Sequence, residues 1–214
     1  MKIAVLGANK KLGQKIILAA EKSKISTVSI VDSFTDVVGD GAVVIKSIDD
    51  LTYNDVKDCH YVIDPLSFFK ISKYSTDNLP LWHILEILKD TDTKLLELGS
   101  SACLYTDKSK TTFVANQNEG VLNEFEDNKE ELLCLNTYKR LQHCHNVKWS
   151  VLCPPLLIDD STYGTGRFEF SNEILPVGVN GESFISETDF ISATIELLKT
   201  VPELHKCTSV RGLN

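Results

Sequence analysis

The chain has 214 residues, 43% hydrophobic and 24% charged, an ordinary globular composition long enough for one sizeable core. Its net charge is −8, with arginine only at positions 140, 167 and 211, which argues against a nucleic-acid partner because phosphate neutralisation needs clustered positive charge. No apolar run approaches the roughly 18 residues of a membrane span, and the first residues read as a strand rather than a secretion signal, so no membrane partner is expected.

The chain opens on a strand, Ile3 to Leu6, followed by Gly7-Ala8-Asn9-Lys10-Lys11-Leu12-Gly13. Leu12, Ile16, Ala19 and Ala20 fall on one face of a helix that Asn9 is placed to cap. Strand, glycine turn and helix form the opening of a dinucleotide-binding fold, in which backbone N–H groups and a helix N-terminus meet a pyrophosphate. The spacing reads Gly-x-x-Gly-x-x-Gly with Lys10 in the middle position. Two outcomes stand open for Lys10. Its ammonium pairs with the phosphates alongside Lys11, or its bulk closes the pocket and leaves a Rossmann-like shell without cofactor. A phosphate-binding P-loop is excluded, because five residues separate Gly7 from Gly13 and Gln14-Lys15 follows.

Further strands are predicted at Thr27–Val31, Ala42–Ile45, Tyr61–Ile63, Lys94–Leu98 and Trp149–Cys153. A short helix falls near Tyr53 to Lys57, an amphipathic helix follows Pro80, and a longer one covers about 128–143. Ser67 to Asn78 reads as a loop. The order predicts βαβ units, a Rossmann-like doubly wound α/β fold with a mostly parallel sheet. Past Pro154-Pro155 the glycines 164, 166, 178 and 181 punctuate short strand-like pieces at 167–170, 175–177 and 182–185. These are expected to form a small irregular lobe, about 156–188, within a single domain of residues 1–214. Ser186-Glu-Thr-Asp189 is a capping box for a last helix, and Cys207 to Val210 a final strand.

Four segments resemble the atypical short-chain dehydrogenase/reductase proteins, in the NAD(P)-binding branch of NmrA-like and NADH-flavin-reductase-like members. They are Met1 to Ala8, Leu96-Glu-Leu-Gly-Ser-Ser-Ala-Cys-Leu104, Trp149-Ser-Val-Leu-Cys-Pro-Pro155, and Thr165-Gly-Arg-Phe168 with Asn180 to Phe190. The resemblance implies a nicotinamide cofactor, NAD or NADP, held at Gly7, Ala8, Asn9, Lys10, Lys11, Leu12 and Gly13. The family's loop carries glycine where this chain has Lys10.

Asp32 ends the second strand, where an acid can accept the adenine-ribose hydroxyls and repel a 2′-phosphate, so NAD is favoured over NADP. The bland reading of Asp32 is an exposed strand-end acid. Asp49, Asp64-Pro65-Leu66 and Gly99-Ser100-Ser101 all fall at C-terminal strand ends, the ligand edge of such sheets, though each alone also suits ordinary turn chemistry. Pro154-Pro155 either shapes the nicotinamide end or only stops a strand. The wider family's Tyr-x-x-x-Lys pair occurs only as Tyr53 and Lys57, between the wrong strands, and Tyr138-Lys139 lacks the spacing. The catalytic residue is therefore unknown, with Ser101 the best-placed hydroxyl.

The six scattered cysteines fit a reduced, cytoplasmic protein, and neither they nor the histidines have metal-site spacing. The reading is an NAD(P)H-dependent oxidoreductase passing hydride to a flavin, quinone or similar small acceptor. The alternatives are a non-catalytic NAD(P)-binding sensor or regulatory protein, or a scaffold that has lost its cofactor.

Overall fold

The computed structural model describes residues 1–33, 35–65, 79–117 and 128–213. Its core is a sheet of eight strands in the order β3-β2-β1-β4-β5-β6-β10-β8. These are β1 (Lys2–Leu6), β2 (Ser26–Val31), β3 (Ala42–Ile45), β4 (Tyr61–Asp64), β5 (Lys94–Leu98), β6 (Trp149–Cys153), β8 (Phe168–Ser171) and β10 (Cys207–Gly212). All pairings are parallel except that of β8 with β10. The first six strands thus follow the 3-2-1-4-5-6 order, one form of the doubly wound, mostly parallel fold that the sequence predicts.

Alternation along each strand dresses the two faces separately. Ala4 and Leu6 of β1 join one cluster with Ile84 and Leu88 of α3 (Pro80–Leu88) and Leu133 and Tyr138 of α5 (Asn128–Leu141). Ile3 and Val5 join the opposite cluster with Ile16 and Ile17 of α1 (Lys11–Lys22) and Phe190, Ile195 and Leu198 of α6 (Glu187–Thr200). A sheet buried on both faces by helices explains why its central strands read as continuous apolar runs. Burying each large aliphatic side chain contributes about 1.5–3 kcal/mol, and this packing offsets the modest helix propensity of a short segment such as α3.

The remaining helices, α2 (Tyr53–Val56) and α4 (Val114–Gln117), are single turns. A capping box secures α2: the Thr52 side chain and the Asp55 carboxylate each bond the other residue's backbone N–H. Tyr53 and Lys57 therefore belong to a small helical turn between β3 and β4.

The C-terminal region differs from its expected form. The predicted strand at 167–170 is β8, and it is an edge strand of the main sheet rather than part of a separate lobe. Its antiparallel pairing with β10 carries an Arg211 Nε–Glu169 Oε1 contact of 2.6 Å. The segment 175–177 is not a strand; only an isolated bridge joins Ile174 to Tyr105. A strand missed in the sequence, β7 (Leu157–Asp159), pairs in parallel with β9 (Phe184–Ser186) as a second small sheet. Leu157-Ile158-Asp159 is too short to show a period of two, so only its partner reveals it.

Candidate functional site

The ends of β1 and β2 lie side by side, with the β1–α1 loop above them. Gly7 turns the chain with φ of +59°, a region that favours glycine. The Ala8 N–H donates to Ile30 O (3.2 Å) and the Lys10 N–H returns to Gly7 O (2.9 Å), closing the loop tightly. Gly13 has a different function. A Cβ there would lie 2.3 Å from Gly7 O and 2.8 Å from Ala8 Cα, so the helix can approach the loop this closely only without a side chain.

Lys10, at the family's middle-glycine position, is the N-cap of α1 with φ of −93° and ψ of 157°. This is ordinary extended backbone that any residue adopts. A side chain at this position therefore carries no backbone strain. The expectation that Asn9 caps α1 is corrected, because no side chain caps the helix. The N–H groups of Lys11, Leu12 and Gly13 have no intrahelical acceptor, and α1 has no acidic residue in its first turn. Among the described residues no side chain caps the start of this twelve-residue helix, whose N–H groups suit an anion.

The Asn9 side chain turns instead to the end of β2. Its Nδ2 donates to Asp32 Oδ1 at 3.0 Å and to Ser33 O at 3.5 Å. Lys10 reaches the other carboxylate oxygen, with Nζ 3.8 Å from Asp32 Oδ2. The Asn9 amide, helped less by Lys10, holds the Asp32 carboxyl below the usual carboxylate range. Asn9 Oδ1 is buried and has no partner among the described residues, an unfilled acceptor beside an exposed acid.

Lys11 leans the other way, toward the C-terminal region. Its Nζ lies 2.7 Å from Asp160 Oδ2 and 3.8 Å from Glu187 Oε2, and Lys15 also pairs with Glu187. Asp160 is presented by a local turn after β7: Asp159 Oδ1 accepts the Ser161 N–H (2.8 Å) and hydroxyl (2.6 Å), and Thr162 donates to Oδ2. These bonds hold the Asp159 carboxyl down at about 2. The far end of the segment is tied to buried Asp189, which accepts the N–H groups of Thr165 (2.9 Å) and Gly166 (2.8 Å). The predicted capping box is therefore half formed. Ser186 Oγ accepts the Asp189 N–H at 3.0 Å, but the Asp189 carboxylate serves the neighbouring loop.

The other expected residues follow along the same sheet edge. Asp49 lies exposed in a 3-10 turn, Ile48–Asp50, that follows β3; the intervening Lys46 N–H bonds Val31 O at the end of β2 (2.9 Å). Asp64 is fully buried at the end of β4 and Pro65 is buried after it. Leu66 and the predicted loop from Ser67 to Asn78 lie outside the described residues. Gly99 follows β5 in close contact with β6, where a Cβ would lie 2.7 Å from Cys153 Sγ. The Ser100 hydroxyl accepts the Ala102 N–H (3.2 Å) and so caps the short 3-10 helix Ser101–Cys103, whereas Ser101 is half-buried. Pro154 and Pro155 are both buried at the end of β6. Tyr138 is no proton donor at this edge. It is 3% exposed, edge-on to both Phe113 and Trp149, and burial pushes its phenol far above the ordinary value.

The glycine turn, the uncapped helix and the strand order define a Rossmann-type doubly wound protein. No protein-family model matches the chain. It is 27% identical to an uncharacterised Bacillus subtilis protein, YwnB, over 207 residues, covering 93% of this chain and 92% of that one. Its fold is similar to that of a Streptococcus pneumoniae protein described as a "putative NADH-flavin reductase" (TM-score 0.86, 24% identity, all of both chains). A Lactobacillus casei protein also matches over the full length of both chains (TM-score 0.82, 23% identity). An NAD-dependent epimerase/dehydratase-like protein of Bacillus halodurans matches with TM-score 0.71 and 14% identity, over all of this chain and 95% of that one. These likenesses run the length of the chain and show the doubly wound fold that the sequence predicts.

Proposed function

We propose that this chain is an NAD(P)H-dependent oxidoreductase of the atypical short-chain dehydrogenase/reductase kind. The carrying observation is the opening of α1: a helix start with no side-chain cap, seated beside Asp32 and the unfilled acceptor of Asn9. The residues present fit a dinucleotide. The first-turn N–H groups and Lys11 suit a pyrophosphate, and the Asp32 carboxylate suits a ribose diol. Asp32 taken alone favours NAD, because it repels a 2′-phosphate. The name of the Streptococcus pneumoniae structural neighbour supports the same cofactor class.

When bound, the nicotinamide supplies a hydride. The chain's residues would bind and orient it at the strand ends, where Pro154 and Pro155 lie buried after β6. The proposed acceptor is a flavin, quinone or similar planar molecule. Such an acceptor takes its proton from solvent, which fits a chain whose α5 tyrosine, Tyr138, is buried. The six free thiols fit a reduced cytoplasmic setting.

The buried Tyr138 also favours a second reading, a cofactor-binding sensor without turnover. Titration with NADH and NADPH, followed by nicotinamide fluorescence, comes first. Failure of both to bind at millimolar concentration overturns both readings. Binding followed by reduction of FMN or a soluble quinone supports the enzyme, and binding without turnover supports the sensor.

A further inference from the structure

The Lys10 side chain is not spent on closing the loop or on capping α1. It runs to the end of β2, where Asp32 has its two carboxylate oxygens faced by different partners. Oδ1 takes the Asn9 amide at 3.0 Å, and Oδ2 faces Lys10 Nζ at 3.8 Å. At 3.8 Å the ammonium neutralises the acid without donating a hydrogen bond to it. Both side chains are solvent-exposed, Lys10 by half and Asp32 by nearly two-thirds, so the ammonium is free to swing on its four-carbon stem. Asn9 is held by its own bonds and keeps Oδ1 buried and unfilled beside them. The end of β2 therefore presents one anion, one movable cation and one waiting acceptor.

An acid alone at this position selects against a cofactor bearing a 2′-phosphate, since that group adds about two negative charges near neutral pH. Here the acid comes with its own counter-ion. We propose that Lys10 is the specificity-determining residue of the adenosine end, and that by pairing either with Asp32 or with a 2′-phosphate it lets the site take NADP(H) as well as NAD(H). With an unphosphorylated ribose, Asp32 accepts the hydroxyls and Lys10 stays beside it. With a 2′-phosphate, Lys10 turns its three donors onto the phosphate oxygens, a charge-assisted contact that offsets the repulsion from Asp32. The inference rests on the cofactor reading above and deepens it. It also accounts for a lysine at a position where extended backbone leaves any side chain sterically free.

The test uses 5′-AMP and 2′,5′-ADP, which share a single 5′-phosphate and differ only in the 2′-phosphate, in calorimetric titrations of the intact protein. The wild type is expected to bind 2′,5′-ADP at least as tightly as 5′-AMP. Lys10→Gln should weaken 2′,5′-ADP by about tenfold or more, the scale of one lost charged hydrogen bond, and change 5′-AMP by less than about threefold. Lys10→Arg should retain both. Discrimination by the wild type of more than about tenfold against 2′,5′-ADP overturns the proposal. So does an equal loss for both probes in Lys10→Gln, which would put the ammonium on the 5′-phosphate that they share. In either case NADH binding would leave the cofactor reading standing. Failure of all four nucleotides to bind the wild type overturns the proposal and that reading together.

Discussion

Asp160 Oδ2 stands 2.7 Å from Lys11 Nζ, bridging the segment after β7 to the first residue of α1. The two residues are 149 positions apart in sequence. The contact sets a carboxylate close to the helix start, so a pyrophosphate bound there would compete with Asp160 for one ammonium. Asp160→Asn is expected to tighten NADH binding by about two- to tenfold at low ionic strength. The gain should fade above about 0.5 M salt, where the screening length falls to a few ångströms. Fluorescence titration across a salt series measures it, and unchanged or weaker binding in the variant would count against a shared position for the two anions.

The Asn9–Asp32 hydrogen bond makes a prediction in pH. A carboxyl held below its unfolded value contributes stability that is present above roughly pH 4 and is lost as pH falls through the folded-state value. Asn9→Ala removes the largest cause of that depression, so the Asp32 carboxyl should titrate at higher pH, nearer its ordinary range. Because Asp32 is largely exposed, the accompanying change in stability is small, within about 1 kcal/mol. Carboxyl-selective NMR titration reads the shift directly.

Gly13→Ala meets backbone rather than a yielding side chain, with Gly7 O only 2.3 Å from the new Cβ. The helix or the loop must move. A destabilisation of about 1–3 kcal/mol or more is expected in urea unfolding, together with loss of nucleotide binding. A variant of wild-type stability would show that α1 shifts freely against the loop.

Asp189→Asn keeps the shape of a buried side chain that accepts two backbone N–H groups, but it turns one acceptor into a donor. Leaving one of the Thr165 and Gly166 N–H groups without an acceptor costs about 1–3 kcal/mol. Faster amide exchange confined to Thr165, Gly166 and their neighbours would follow, whereas protection equal to wild type would refute the role assigned to Asp189.

Tyr138→Phe should leave any turnover unchanged, since the phenol lies within the core beneath Phe113. The tyrosine keeps its proton in the folded state at pH values where the unfolded chain loses it. Wild-type stability should therefore fall above about pH 10, and the variant should lose part of that dependence.

Most of the sheet was legible in the sequence because Ile3 to Leu6, Lys94 to Leu98 and Trp149 to Cys153 are short apolar runs bounded by turn residues. Gly7, Asp32 and Gly99 were legible as strand ends. The partners of Lys10 and Lys11 were not. Lysines at a loop say nothing of direction, and their acids lie in distant parts of the chain. The function of Asp189 was misread because a capping-box pattern specifies spacing, whereas a competing set of nearby N–H donors decides where the carboxylate goes.

By itself, the sequence determined the layering of this protein. Period-two and period-3.6 apolar patterns admit few ways to bury both faces of a parallel sheet, and the glycine turn after β1 marks its ligand edge. Only the tertiary structure decided the state of that edge. It set Lys10 in extended backbone beside Asp32, tied Lys11 to Asp160, and joined β8 to the main sheet. Each of these depends on which distant groups come within a few ångströms, and pairing at that range follows from the packed chain rather than from the pattern of any one segment.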